Sequence, residues 1–151
     1  MNTTKPENTN RNPLLGTWKL KAYFVTSGAG ARSFPYGDNP TGYISYTREG
    51  RMQVIATASG RPAPLGLTPP ESTRAALYDT MFAYGGTYSV EADTVTHYVD
   101  VSWNEEWTGT KQIRHFQLVD DTLTITMRIL DPTTNAEVRY TAEWEKIVSS
   151  R

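Results

Sequence analysis

The 151-residue chain has no cysteine, and that absence removes disulfide frameworks, thiol nucleophiles and thiolate metal sites together. It has only two histidines, His97 and His115, too few for a histidine-rich metal centre. Charge of one sign is lacking as well: 15 basic and 16 acidic residues leave a formal net charge of -1. No field of that size drives binding to nucleic acid or to an anionic membrane surface. No apolar run approaches the ~20 residues that a membrane-spanning helix needs. Glycine-rich phosphate loops, nucleophile elbows and paired-histidine motifs are missing too, so any enzyme here works without a metal or organic cofactor. The absence of cysteine fits a reducing compartment, and the expectation is a cytoplasmic protein.

What is present is alternation. After residues 1–12, a polar Asn/Thr-rich stretch expected to be a disordered tail rather than a signal peptide, the pattern starts abruptly. Trp18, Leu20, Ala22 and Phe24 fall on one strand face, with Lys19, Lys21 and Tyr23 on the other. Residues 42–47 and 51–57 read as a hairpin around Arg48-Glu49-Gly50, with Ile44, Tyr46, Met52, Val54 and Ala56 inward. The proline-rich stretch 59–70 breaks regular structure. Thr68, Pro69 and Glu71 then form a capping-box signal for a helix with Ala75, Tyr78, Met81 and Phe82 on one stripe, ended by Gly85-Gly86. Strands follow over 87–90, 94–102, 111–119, 122–130 and 137–147. Leu123, Ile125, Met127 and Ile129 point inward on one of them, and Val138, Tyr140, Ala142 and Trp144 on the last. The predicted fold is all-β: an antiparallel up-and-down barrel of about eight strands, with one short helix after the third strand, over residues 13–148. Its inward set includes Trp18, Leu20, Phe24, Val54, Val99, Phe116, Ile125 and Trp144, while Lys19, Arg128 and Glu143 face out.

The stretch 94–119 carries the chemistry. Parity puts His97 among Val95, Val99 and Val101, and puts Gln112 and Arg114 in line with Phe116 and Leu118. Polar groups on an apolar face cost several kcal/mol unless they are paired or reach water, so a solvent- or ligand-filled cavity is expected there. His97 is the candidate for proton transfer, against the alternative of a core histidine bonded to a neighbouring strand. Arg114 is a forked clamp for a carboxylate, an enolate or a polarised carbonyl, or else an internal ion pair or a cation stacked on Trp18. Gln112 is a contact or a filler hydrogen bond. Tyr46 and Tyr140 offer hydroxyls to a ligand or belong to the core. Trp103 and Trp107 sit at one barrel mouth, and the helix with Tyr78 and Phe82 closes the other end or acts as a lid. Met52 and Val54 complete the candidate lining. His115 faces outward, and Glu105-Glu106 reads as a solvated pair.

Several ordered pieces resemble one family. Leu15-Gly-Thr-Trp, Asn39-Pro-Thr-Gly-Tyr-Ile-Ser-Tyr, Gly50-Arg-Met, Tyr84-Gly-Gly-Thr-Tyr, Val95-Thr-His, Trp107-Thr-Gly and Gln112-Ile-Arg-His-Phe are similar to the small lipocalin-like domain family of bacteria and fungi. Gly16-Thr17-Trp18 matches the Gly-x-Trp signature of the wider calycin group. The resemblance implies a calycin-type barrel with a ligand cavity, and no single activity. Two functions are therefore carried forward. One is binding of a small, mostly hydrophobic molecule with a polar or anionic group, by a monomer or homodimer. The other is a cofactor-independent isomerase or cyclase, with His97 and Arg114 catalytic, acting on a polyketide- or terpenoid-like intermediate in the same cavity. A structural barrel with a filled core is the third reading.

Overall fold

The structure, a computed structural model, describes residues 12–64 and 66–148; of the expected tail, residues 1–12, all but Asn12 lies outside them. Among the described residues the strands are β1 (Gly16–Thr26), β2 (Arg32–Ser33), β3 (Thr41–Tyr46), β4 (Arg51–Thr57), β5 (Met81–Glu91), β6 (Thr94–Ser102), β7 (Lys111–Val119), β8 (Thr122–Leu130) and β9 (Glu137–Lys146). Helix α1 covers Glu71–Asp79, and a single 3-10 turn covers Glu105–Trp107. Every pairing is antiparallel, neighbours in sequence are neighbours in the sheet from β3 to β9, and β1 pairs with both β3 and β9. That second pairing closes eight long strands into a barrel, which removes the exposed edges. The two-residue β2 is an extra ribbon on the end of β1.

The helix follows β4 in chain order, not the third strand, because β2 intervenes. It is also shorter than its periodicity predicts. Pro70 stands at the N-cap with no side-chain cap bond, and Thr80 ends the helix. Thr68 cannot act as the cap because a residue that precedes proline is pushed out of helical conformation, and here Pro69 precedes Pro70. Met81 and Phe82 therefore belong to β5, which begins six residues earlier than the expected 87–90 strand. Gly85 and Gly86 lie inside that strand. A Cβ on Gly86 would collide with the Tyr98 carbonyl oxygen, so the pair serves close strand approach rather than helix termination.

Alternation holds over most of the barrel. Trp18, Leu20, Val54, Val99, Ile125 and Trp144 are buried in one core cluster, and Phe116 packs against it half-buried. Lys19 and Arg128 are exposed and Glu143 is half-buried. Two bulges break the parity. In β1 the register with β9 passes from Leu20↔Trp144 to Ala22↔Glu143, so Lys21 is the extra residue. Beyond it the faces exchange: Tyr23 turns inward, opposite Ala142, and Phe24 turns out of the main core. Phe24 is still buried, beneath Phe34 and the Arg32 guanidinium, which sits 4.1 Å from its ring centroid. In β6 the register passes from Gly86↔Val99 to Gly85↔Val101, leaving Asp100 as the extra residue. Val101 is thereby 62% exposed, a correction to its inward placement. Asp100 reaches outward to a bidentate pair with Arg51 at 2.9 and 3.1 Å.

One half of the barrel is filled. Leu14, Trp18, Val95, Leu123, Met52 and Tyr46 are closely packed there. The Trp18 indole donates to the Leu14 carbonyl at 3.0 Å, and it is Lys146, not Arg114, whose cation lies over the Trp18 ring. Asn12 fixes the entry to β1, donating to the Tyr88 hydroxyl at 2.7 Å and accepting from the Leu14 N–H.

Candidate functional site

The other half of the barrel holds a cavity of about 360 Å³. Ile44, Ile125, Ala142 and Trp144 form its apolar floor, and Tyr23, Tyr36, Phe82, Met127 and Tyr140 its walls. It reaches solvent past Ile129, which lines it and is 45% exposed. The volume is in the range of small-molecule pockets, ~300–1,000 Å³.

Of the expected site residues, Val54, Phe82, His97, Trp103, Arg114 and Tyr140 line this cavity. Tyr46 and Gln112 stand one layer behind it, bonded to residues that do. Met52 is buried in the filled half and does not line it. Tyr78 is 47% exposed on α1, because the helix ends before the stripe reaches the barrel. Its ring lies 6.3 Å from that of Trp103, and Phe82 stands equally close to Trp103. The tryptophan loop and the helix thus meet at one mouth rather than closing opposite ends. Trp103 and Trp107 pack edge-on at 5.4 Å across that mouth.

The polar heart of the cavity is a chain of three side chains from three strands. His97 on β6 is 1% exposed, and both its ring nitrogens are occupied. Nε2 lies 2.7 Å from the Tyr46 hydroxyl on β3, and Nδ1 lies 2.8 Å from the Tyr84 hydroxyl on β5. Burial, and then the nearby Arg114 cation, hold the His97 imidazole down to about 3, so it is neutral throughout the physiological range. Burial likewise pushes the Tyr84 phenol up to about 12 and the Tyr46 phenol well above its usual range. Tyr23 and Tyr36 are raised to about 12 by the same cause. All these hydroxyls are protonated at neutral pH.

Arg114 on β7 enters beside this chain, its backbone opposite Val95. Its Nη1 donates to the Ile113 carbonyl at 3.1 Å and its Nη2 to Gln112 Oε1 at 3.2 Å. Gln112 is itself anchored, donating to Thr110 Oγ1 at 2.8 Å. Among the described residues no aspartate or glutamate lines the cavity, and the ion pairs lie elsewhere, on the outer surface. Among the described residues the guanidinium therefore has no acidic partner. Among the described residues no group of three His, Asp or Glu side chains could hold a metal ion.

Trp107, expected at the mouth, lines the cavity as well, and so do Tyr84 and Tyr23, outside the expected set. Tyr84 was concealed because Tyr78-x-x-Met81-Phe82 continues a helical period into what is β5. Tyr23 was concealed by the bulge at Lys21, which no composition signal marks.

No curated protein matches the chain. Among solved structures, an uncharacterized protein from Bacteroides eggerthii DSM 20697 aligns with a TM-score of 0.42 and 12% identity, over 89% of this chain and 99% of that one. That likeness is too loose to inform the site. The family model described as a lipocalin-like domain matches residues 15–147. The match runs from the residue before β1 to the residue after β9, and the chain belongs to the lipocalin-like domain family.

Proposed function

We propose that the barrel binds a small, mostly apolar molecule whose polar end is anionic and lies against Arg114. The observation that carries this reading is a cavity-lining guanidinium with no carboxylate in the lining among the described residues. A cation in such a place is costly unless an anion or water meets it. Among apolar and aromatic walls, a ligand with one acidic head satisfies both requirements. The filled half of the barrel supplies rigidity, and the open half supplies room. The alternative, isomerisation or cyclisation of a polyketide- or terpenoid-like intermediate with His97 as the acid-base group, is less well supported. His97 is neutral, has both nitrogens engaged, and is held by burial down to about 3, against a usual 6.5.

Equilibrium dialysis with 2-naphthoate and naphthalene tests the binding reading. Wild-type protein is expected to prefer the carboxylate, and Arg114→Leu to lose about tenfold or more in 2-naphthoate affinity with little change for naphthalene. Equal affinity of wild type and variant for 2-naphthoate would remove Arg114 from the site.

A further inference from the structure

We infer that Tyr84 is a second polar anchor of the cavity, a hydroxyl donor aimed at the ligand by His97 and Tyr46. The head of the ligand therefore carries an acceptor oxygen, as in a carboxylate or a conjugated ketone. This rests on the binding reading above and adds the identity of the head group.

The inference comes from counting protons along the Tyr46–His97–Tyr84 chain. A neutral imidazole has one N–H donor and one lone-pair acceptor. If Nε2 carried the proton, it would donate to Tyr46, and Tyr84 would donate to Nδ1. The Tyr46 hydroxyl proton would then need another acceptor. Tyr46 is 1% exposed, and among the described residues its hydroxyl has no partner but His97. That arrangement leaves a buried O–H unmet, which is costly. The opposite tautomer has no such defect. Tyr46 donates to Nε2, Nδ1–H donates to the Tyr84 oxygen, and the one unused proton is the Tyr84 O–H. Tyr84 lines the cavity, so that proton has a place to go. An imidazolium donating to both tyrosines is excluded, since His97 is buried and already stands beside the Arg114 cation.

The cavity thus presents the Arg114 guanidinium and the Tyr84 hydroxyl as donors, beside the indole N–H groups of Trp103 and Trp144, and among the described residues no carboxylate lines it. Acceptor-bearing heads fit and ammonium heads do not. His97 is a positioning residue here, because it acts on the ligand through Tyr84.

Two measurements on the full chain decide the matter. With ¹⁵N-labelled protein, long-range proton–nitrogen correlation spectra report which ring nitrogen carries hydrogen, and a His115→Gln variant separates the two histidines. His97 is expected to be protonated at Nδ1. Protonation at Nε2 overturns the inference. The second measurement is equilibrium dialysis with 2-naphthoate, 2-acetylnaphthalene and naphthalene. Tyr84→Phe should weaken the first two by about tenfold and leave naphthalene unchanged. An equal loss for all three means that Tyr84 only shapes the cavity, and overturns the inference. Should Tyr84→Phe not fold, the Arg114→Leu protein serves instead: it should still prefer 2-acetylnaphthalene to naphthalene, and no preference overturns the inference. If wild-type protein binds none of the three probes, the binding reading itself falls and takes this inference with it.

Discussion

Tyr46 and His97, 51 residues apart in sequence, meet at 2.7 Å where the filled half of the barrel gives way to the open half. The contact joins β3 to β6 across the interior, although the two strands are not neighbours in the sheet. Around it the Tyr46 ring packs edge-on against Tyr88 at 4.9 Å, and the Tyr88 hydroxyl donates to the Thr47 carbonyl. The Tyr46 ring is thereby held in place for the bond.

Tyr46→Phe removes the hydroxyl and leaves one buried imidazole nitrogen without a partner. The expected loss of stability is about 1–3 kcal/mol, read from urea unfolding with an unchanged m-value. A change within error would mean that the nitrogen finds water in the variant.

Acid stability follows from the depressed His97. The folded value is about 3, against a usual 6.5. Between these two values the unfolded chain holds the proton and the folded one does not, so stability rises with pH across this window. The contribution is fully present above pH 6.5 and is lost as pH falls toward 3, at up to ~1.4 kcal/mol per pH unit. A variant without the imidazole, His97→Gln, should show a flatter curve between pH 6 and 4 than wild type in parallel urea titrations. Parallel curves would place the His97 proton affinity near that of an exposed histidine.

The barrel was legible in the sequence because side-chain alternation has a period of two and each long strand turns one face toward the interior. His97 and Arg114 were legible for the same reason, as polar interruptions of that alternation. Two single-residue insertions were not. Lys21 and Asp100 look like ordinary outward residues, yet each displaces the register by one and exchanges the faces beyond it, bringing Tyr23 in and sending Val101 out. Tyr84 was hidden by a conflict between periods: Tyr78, Met81 and Phe82 fit a helix until two prolines and Thr80 confine it to nine residues. Gly85-Gly86 then looked like a helix stop, when what requires glycine is the proximity of the neighbouring strand.

That proximity is testable. A Cβ at residue 86 would strike the Tyr98 carbonyl oxygen and lie 3.1 Å from the Asp100 nitrogen, both of them backbone atoms that cannot rotate away. Gly86→Ala should cost about 1–3 kcal/mol or more and lower the thermal midpoint correspondingly. Gly60→Ala, where nothing lies within 4 Å, serves as the comparison for backbone strain alone, since its φ is +71°. If Gly86→Ala proved the milder of the two, the bulged register between β5 and β6 would be wrong.

Arg114→Leu separates a ligand-serving cation from a structural one. Among the described residues the guanidinium bonds only to the Ile113 carbonyl and to Gln112, which Thr110 holds independently. Without ligand, the variant should stay within about 1 kcal/mol of wild type, or exceed it, because an apolar side chain replaces a cation that has no anion. With 2-naphthoate at 100 times its dissociation constant, wild type should gain about 2.7 kcal/mol by mass action. The variant, at the same ligand concentration, should gain less, since a tenfold weaker site is only tenfold saturated. Thermal melts of both proteins with and without 2-naphthoate check this directly. A variant that unfolds without ligand, or one that gains as much as wild type with it, would make Arg114 part of the scaffold and place the acidic head of the ligand elsewhere.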